Sequence, residues 1–204
     1  MAKELISDLS DFSLFIFDLD NTIYNEEDYL FQAYVAICES FGKKVTGLDK
    51  KDLLRIIMDI YRKEGREKLF DKFLLKAGMD INYLNECLEI LRTFHPVRRM
   101  KMHQKAENIL STLIKKNKKI FVLTNGNPVQ QRNKIRYINW KGRDEKITFV
   151  FADEIEPKPS SAGIRHIQEM TGIANDKMVF IGDSETDRTC AENAGIKFIN
   201  IRDL

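Results

Sequence analysis

The chain has 204 residues, 43% hydrophobic and 31% charged, with a formal net charge of +2. That balance reads as a globular protein of one domain, or one domain carrying a large insertion, and excludes a disordered chain. It offers no electrostatic reason to expect nucleic acid or a membrane surface as partner, and the longest apolar runs are too short to span a bilayer.

The opening MAKELISDLSDF carries acids and lacks an apolar h-region, so it does not read as a secretory signal. A first strand is expected at roughly Leu14 to Asp18, inside FIFDLDNT (Phe15 to Thr22), where an apolar run meets two aspartates one residue apart. Burying one unpaired carboxylate is costly and two close together repel, so other parts of the chain must offset them. Four amphipathic helices follow. YLFQAYVAICESFG places Leu30, Tyr34, Ile37 and Phe41 on one stripe and stops at Gly42. Leu53, Ile57 and Ile60 precede Gly65; Leu69, Phe73 and Ala77 precede Gly78; Leu84, Leu88 and Leu91 precede Pro96. Such stripes bury against one another as a small bundle.

After about Met100 the rhythm changes. A helix in HQKAENILSTLIKK, with Ala106, Ile109, Leu110, Leu113 and Ile114 on one face, leads to a strand at Ile120 to Thr124. PVQQRNKIRYINW reads as a helix with Pro128 in its first turn, and Ile147 to Ala152 as a strand. SSAGIRHIQEMTG is a helix ending near Gly172, MVFIGD a strand, SETDRTCAENAG a helix capped by Ser184 and stopped at Gly195, and Lys197 to Ile201 a last strand. Strands alternating with helices imply βαβ units and a parallel sheet covered on both faces. The chain therefore reads as an α/β, Rossmann-like three-layer core, residues 1–24 and 98–204, interrupted by an all-α insert at 25–97. Cys38, Cys87 and Cys190 form no CxxC pair and read as buried small hydrophobes in a reducing compartment, which points to the cytoplasm.

Ligands of open parallel sheets bind at the carboxyl ends of the strands. That rule selects Asp18 and Asp20, Thr124 and Asn125, Asp153 and Glu154, and Asp183. Carboxylates converging without Cys or His call for a hard cation, with Mg²⁺ the default. A phosphate bound there would find donors in the Thr124 hydroxyl, the Asn125 and Gly126 backbone N–H groups and the Lys158 ammonium. Asp187 has a structural reading as well, because Ser184-x-x-Asp187 is a capping box. Thr22 is a candidate cap for the turn after the first strand. The cluster Arg98, Arg99 and Lys101 reads as a solvated hinge, and His95, His103 and His166 form no spaced pair.

DLDNT (Asp18 to Thr22) resembles the first motif, D-x-D-x-T/V, of the haloacid dehalogenase superfamily. LTNG (Leu123 to Gly126) is similar to its second motif, Lys158 in EPKPSS to its third, and GDSETD (Gly182 to Asp187) to its fourth. The helical insert lies between the first and second motifs, as in the branch with a cap of that type. The resemblance implies Asp18 as nucleophile and Asp20 as general acid and then base. It implies Mg²⁺ held by Asp18, the backbone carbonyl of Asp20 and Asp183, with Asp187 in support, and a phosphoryl group bound by Thr124 and Lys158. It implies a Mg²⁺-dependent phosphatase acting on a small phosphorylated metabolite, the cap closing to exclude water and select substrate. Sugar phosphates, nucleoside monophosphates and phosphoglycolate-like acids stay open as substrates. Phosphoglucomutase-type transfer uses the same residues and stays open too. A carbon–halogen hydrolase is disfavoured, since a halide leaves without the proton that Asp20 would supply. A phospho-receiver or silent phosphate-binding protein is disfavoured by the same residue and by the large cap. No GxGxxG or P-loop pattern is present, and oligomeric state is undetermined.

Overall fold

The computed structural model describes residues 10–204, with the backbone alone for 43–46. The reading of the N-terminal stretch as no secretory signal rests chiefly on residues 1–9, which lie outside the described residues. The chain forms two compact units, residues 1–26, 100–131 and 138–204 in one, and 27–99 with 132–137 in the other.

The first unit is built on a five-stranded sheet: β1 (Leu14–Phe17), β2 (Lys119–Thr124), β3 (Ile147–Phe151), β4 (Met178–Gly182) and β5 (Lys197–Asn200). The order is β3-β2-β1-β4-β5 and every pairing is parallel. β1 is central, with Phe15 in register with Ile120 on one side and Val179 on the other. Every residue of β1 and β4 is buried, as strands covered on both faces require. Side chains alternate across a strand, so Leu14 and Ile16 face one way and Phe15 and Phe17 the other. Leu14 and Ile16 join Phe121, Leu123, Met178 and Phe180 in one core cluster. That cluster also takes Ile164 and Ile167 from α7 (Ala162–Thr171) and Cys190 and Ala191 from α8 (Glu185–Ala194). A Cβ at Gly163 would lie 2.7 Å from Leu123 Cδ1, so a larger residue in α7 would displace that side chain of β2. The helix α5 (Gln104–Lys115) buries Ala106, Leu110 and Leu113 and packs on β2. The result is the α/β, Rossmann-like architecture expected.

The second unit contains α1 (Glu27–Thr46), α2 (Lys50–Glu64), α3 (Leu69–Lys76) and α4 (Leu84–Thr93). Its core holds Leu30, Tyr34, Ile37, Phe41, Leu53, Ile57, Ile60 and Phe73, as the spacing marks out for α1 to α3, whereas in α4 Cys87 is buried and the expected stripe Leu84, Leu88 and Leu91 is only half-buried. Tyr34 meets Tyr61 and Phe70 edge-on. Asp49 caps α2 by accepting from the Asp52 N–H, and Gly65 closes it at φ 75°. The first helix runs past its expected stop. Gly42 takes φ 36°, ψ −162°, a kink that an L-side chain would resist, and a helical segment resumes to Thr46.

Other boundaries shift by small amounts. α6 (Pro128–Tyr137) stops before Trp140 because Asn139 N–H bonds instead to the Met100 carbonyl and Ile138 bridges Met100. Its last residues, 132–137, group with the helical unit, whereas the sequence reading assigns all of 98–204 to the core. β1 ends at Phe17, so Asp18 begins the following turn, and β3 gives way to a short 3-10 turn at Ala152–Glu154. Among the described residues no helix is long and apolar enough to cross a membrane.

Candidate active site

The end of β1 dictates the site. Beyond Phe17 the chain turns, with Asn21 in the left-handed region at φ 58°, a conformation asparagine tolerates. Asn21 Oδ1 accepts from the Glu26 N–H at 3.1 Å and so caps this turn. Thr22, the expected cap, is fully buried, and its hydroxyl finds no hydrogen-bond partner among the described residues. The turn sends Asp18 and Asp20 to different partners. Asp18 Oδ1 accepts from Lys158 Nζ at 2.5 Å. Asp20 accepts from the Tyr24 hydroxyl at 2.7 Å on Oδ1 and from Gln131 Nε2 at 3.0 Å on Oδ2.

Lys158 also donates to Asp187 Oδ1 at 2.6 Å, so one ammonium, with its side chain 3% exposed, serves two buried carboxylates. The loop that carries it is clamped by Asn125. Lys158 N–H donates to Asn125 Oδ1 at 2.8 Å, and Asn125 Nδ2 donates to the Lys158 carbonyl at 2.9 Å. The side chain of Asn125 thus positions the lysine, where the sequence suggested only its backbone N–H. The Gly126 N–H is a further difference. It was expected to face a phosphate, and it donates to Asp153 Oδ2 at 2.6 Å, because the end of β3 places that carboxylate beside the end of β2. Asp153 therefore orders the turn after β2.

Asp187 divides its two oxygens. Oδ2 accepts from Ser184 N–H and Ser184 Oγ, and the Asp187 N–H donates back to Ser184 Oγ, completing the capping box of α8. Oδ1 faces Lys158. The cap and the charge cluster coexist in one residue. Gly182 makes room for it: a Cβ there would lie 2.6 Å from Asp187 Oδ2 and 2.7 Å from its Cβ. Asp183, partly buried, stands 3.5 Å from an exposed Arg202 guanidinium.

One oxygen from each of Asp18, Asp183 and Asp187 lies within 4.8 Å of the others. Burial, followed by the charges of Asp187 and Asp20, outweighs the attraction of Lys158 and pushes the Asp18 carboxyl up to about 7. Burial and then Asp187 raise Asp183 as well. Burial works against the Lys158 charge, yet Asp18 and Asp187 together hold its ammonium above the ordinary lysine range. The cluster carries more negative charge than its own cations neutralise. An oxygen-only set of this kind fits a hard divalent cation. Asp20, expected to offer the metal its backbone carbonyl, turns its carboxylate to Tyr24 and Gln131.

Thr124, at the end of β2, is 1% exposed and its hydroxyl accepts from Gln131 Nε2 at 2.6 Å. Gln131 was missed by the sequence reading, and so was Tyr24. Both look like ordinary residues of a helix and a loop in the sequence, and no spacing rule singles them out. Glu154 ends the 3-10 turn and is exposed, and Arg98, Arg99 and Lys101 are exposed, as the reading of a solvated cluster expects. Of the histidines, His95 stacks on Tyr137, His103 precedes α5, and His166 lies on α7. All three cysteines are buried free thiols, with burial holding Cys38 and Cys87 up to about 12 and Cys190 up to about 11.

The profile of the family "Haloacid dehalogenase-like hydrolase" matches residues 15–201. A curated relative from Thermotoga maritima, named "Phosphorylated carbohydrates phosphatase", is 25% identical over 197 residues, spanning 90% of this chain and 82% of its own. A solved structure from Thermotoga maritima, provisionally assigned as a beta-phosphoglucomutase, superposes with a TM-score of 0.62 at 20% identity, covering 91% of this chain and 83% of that one. A HAD-superfamily hydrolase from Geobacter sulfurreducens gives 0.52 at 21% identity, covering 93% and 87%. These structural likenesses speak to the fold, whereas the profile runs from the first strand to the last. The chain belongs to the haloacid dehalogenase-like hydrolases.

Proposed function

We propose that this protein is a Mg²⁺-dependent phosphatase that hydrolyses a small phosphorylated metabolite through an aspartyl-phosphate on Asp18. The observation that carries the reading is the division of labour after β1. Asp18 sits in the charge cluster with Lys158, while Asp20, two residues on, is held apart by neutral donors.

In the first step an Asp18 oxygen forms a bond to phosphorus, the bond from phosphorus to the leaving oxygen breaks, and Asp20 gives that oxygen its proton. In the second, Asp20 takes a proton from water, the water oxygen bonds to phosphorus, and the acyl-phosphate bond breaks to return Asp18 and release inorganic phosphate. Covalent catalysis by a carboxylate replaces one hard displacement by two easier ones. Lys158 and the Thr124 hydroxyl would hold the transferring group, the ammonium offsetting its charge. Asp18, the Asp20 carbonyl and Asp183 would hold Mg²⁺, with Asp187 in support, and the ion would neutralise charge so that one anion can approach another. The helical unit is the proposed element of substrate selection. The thiols, all buried and unpaired, suit a cytoplasmic setting.

A phosphorylated carbohydrate is the substrate class to test first, since the Thermotoga relative is named for one. Purified protein should release inorganic phosphate from one member of a panel of phosphorylated metabolites, and excess chelator should stop it. The variant Asp18→Asn should keep its fold by circular dichroism and lose turnover. Undiminished turnover by that variant would sink the nucleophile assignment, and activity in excess chelator would remove the metal. A phosphorylated isomer as product, in place of inorganic phosphate, would establish a mutase.

A further inference from the structure

We infer that Tyr24 and Gln131 are positioning residues for Asp20, fixing the plane of its carboxylate and tying it to the phosphate-binding hydroxyl of Thr124. The inference rests on the phosphatase reading and adds to it two residues outside the four motifs.

A carboxylate on a turn is free to rotate unless both oxygens are held. Here each oxygen has its own donor: the Tyr24 hydroxyl reaches Oδ1 at 2.7 Å and Gln131 Nε2 reaches Oδ2 at 3.0 Å. Neither donor is a mobile surface group. Tyr24 is fully buried, and its backbone bridges both Asp20 and Met102, which sets the distance the phenol must span. Gln131 is 2% exposed and stands in the first turn of α6, where its N–H bonds to the Asn127 carbonyl. Its amide nitrogen also meets Thr124 Oγ1 at 2.6 Å and the Asn125 carbonyl at 2.7 Å. Two amide hydrogens thus serve three acceptors, which come from the ends of β1 and β2.

Burying a glutamine is costly unless its polar atoms are used, and an apolar residue of the same length would fill the space at less cost. Gln131 Oε1 has no hydrogen-bond partner among the described residues, and the side chain's bonds run through its amide nitrogen. Its contacts lie on the proton-transfer residue and on the phosphate-binding residue at once. Proximity catalysis needs that relation: a proton donor misplaced by about 1 Å costs about a hundredfold in rate. Both donors are also neutral. They hold Asp20 without adding a charge to the cluster around Asp18.

The test separates positioning from packing by the leaving group. kcat/KM covers the steps up to departure of the leaving oxygen, so it reports the proton donation by Asp20. A simple alkyl phosphate needs that proton, whereas 4-nitrophenyl phosphate has a stable leaving anion. Tyr24→Phe removes one oxygen atom, and Gln131→Met keeps the length of the side chain. Each should lower kcat/KM for the alkyl ester about tenfold to a hundredfold and for the aryl ester less than about threefold. Loss of binding through Thr124 affects both esters alike and cancels in the ratio. In an Asp20→Asn background neither substitution should change the ratio further. Equal losses for the two esters, or none, overturn the positioning role while leaving the phosphatase intact. Wild-type protein that hydrolyses neither ester nor any metabolite of the panel refutes the phosphatase reading, and this assignment with it.

Discussion

Replacing Lys158 by methionine removes the cation that two buried carboxylates share while nearly conserving volume. The lysine side chain is 3% exposed, and those of Asp18 and Asp187 are 10% and 2%. Nζ stands 2.5 Å from Asp18 Oδ1 and 2.6 Å from Asp187 Oδ1, and a contact pair of unit charges is worth about 4 kcal/mol at an effective dielectric of about 20. Two pairs give about 8 kcal/mol, from which the dehydration of the ammonium, several kcal/mol, is subtracted. The net loss is then about 3–5 kcal/mol, the usual cost of stripping one partner from a buried ion pair. For a chain of this size each kcal/mol moves the melting temperature by about 2–4 °C, so the drop should fall between about 6 and 20 °C. The assay is thermal unfolding of metal-free protein followed by circular dichroism, at pH 8, where Asp18 is ionised in wild type. At pH 5 a proton on Asp18 replaces the lost charge, so the drop should shrink. Added Mg²⁺ should restore more stability to the variant than it adds to wild type. A drop below about 2 °C at pH 8 would refute the claim that Lys158 is the counter-charge of the cluster.

The Asp18 carboxyl, ordinarily near 3.8 and held up to about 7, gives a linked prediction. The folded protein keeps a proton there that the unfolded chain has released, so this group's contribution is whole below about pH 4 and is lost as pH rises through about 7. Metal-free wild type should therefore lose more melting temperature between pH 5 and pH 8 than Asp18→Asn does; parallel profiles would contradict it. Gly182→Ala forces a Cβ to within 2.6 Å of Asp187 Oδ2, so it should cost about 1–3 kcal/mol and weaken Mg²⁺ binding, both readable in one metal titration of the melting temperature. Ser184→Ala removes the cap of α8 and a bond to Asp187, and should cost about 1 kcal/mol in chemical denaturation.

The architecture was legible because its signals are local. Apolar runs such as LFIF and MVFIG announce buried parallel strands, and the stripes of the insert announce helices that pack on one another. Boundaries drifted where a tertiary hydrogen bond competed with the local pattern. Asn139, whose N–H goes to Met100, ends α6 three residues before Trp140 could join it. Gly42 reads as a stop, yet glycine's freedom at positive φ let the helix bend and resume.

The site followed the same division. The sequence determined which carboxylates stand at strand ends, because strand direction and the order of the motifs place Asp18, Asp183 and Lys158 without reference to any contact. It also carried both roles of Asp187, since the capping box is a spacing and the charge cluster a motif. The tertiary structure alone decided how the two aspartates after β1 part company. Asp18 and Asp20 would share a face if β1 continued through them, but the strand ends at Phe17 and the turn sends one to Lys158 and the other to Tyr24 and Gln131. Gln131 lies 111 residues from Asp20 in the chain, and only the placing of the first turn of α6 beside the end of β1 makes them neighbours. A hydrogen bond between residues that far apart leaves no trace in local spacing, because neither partner needs the other to form its own element.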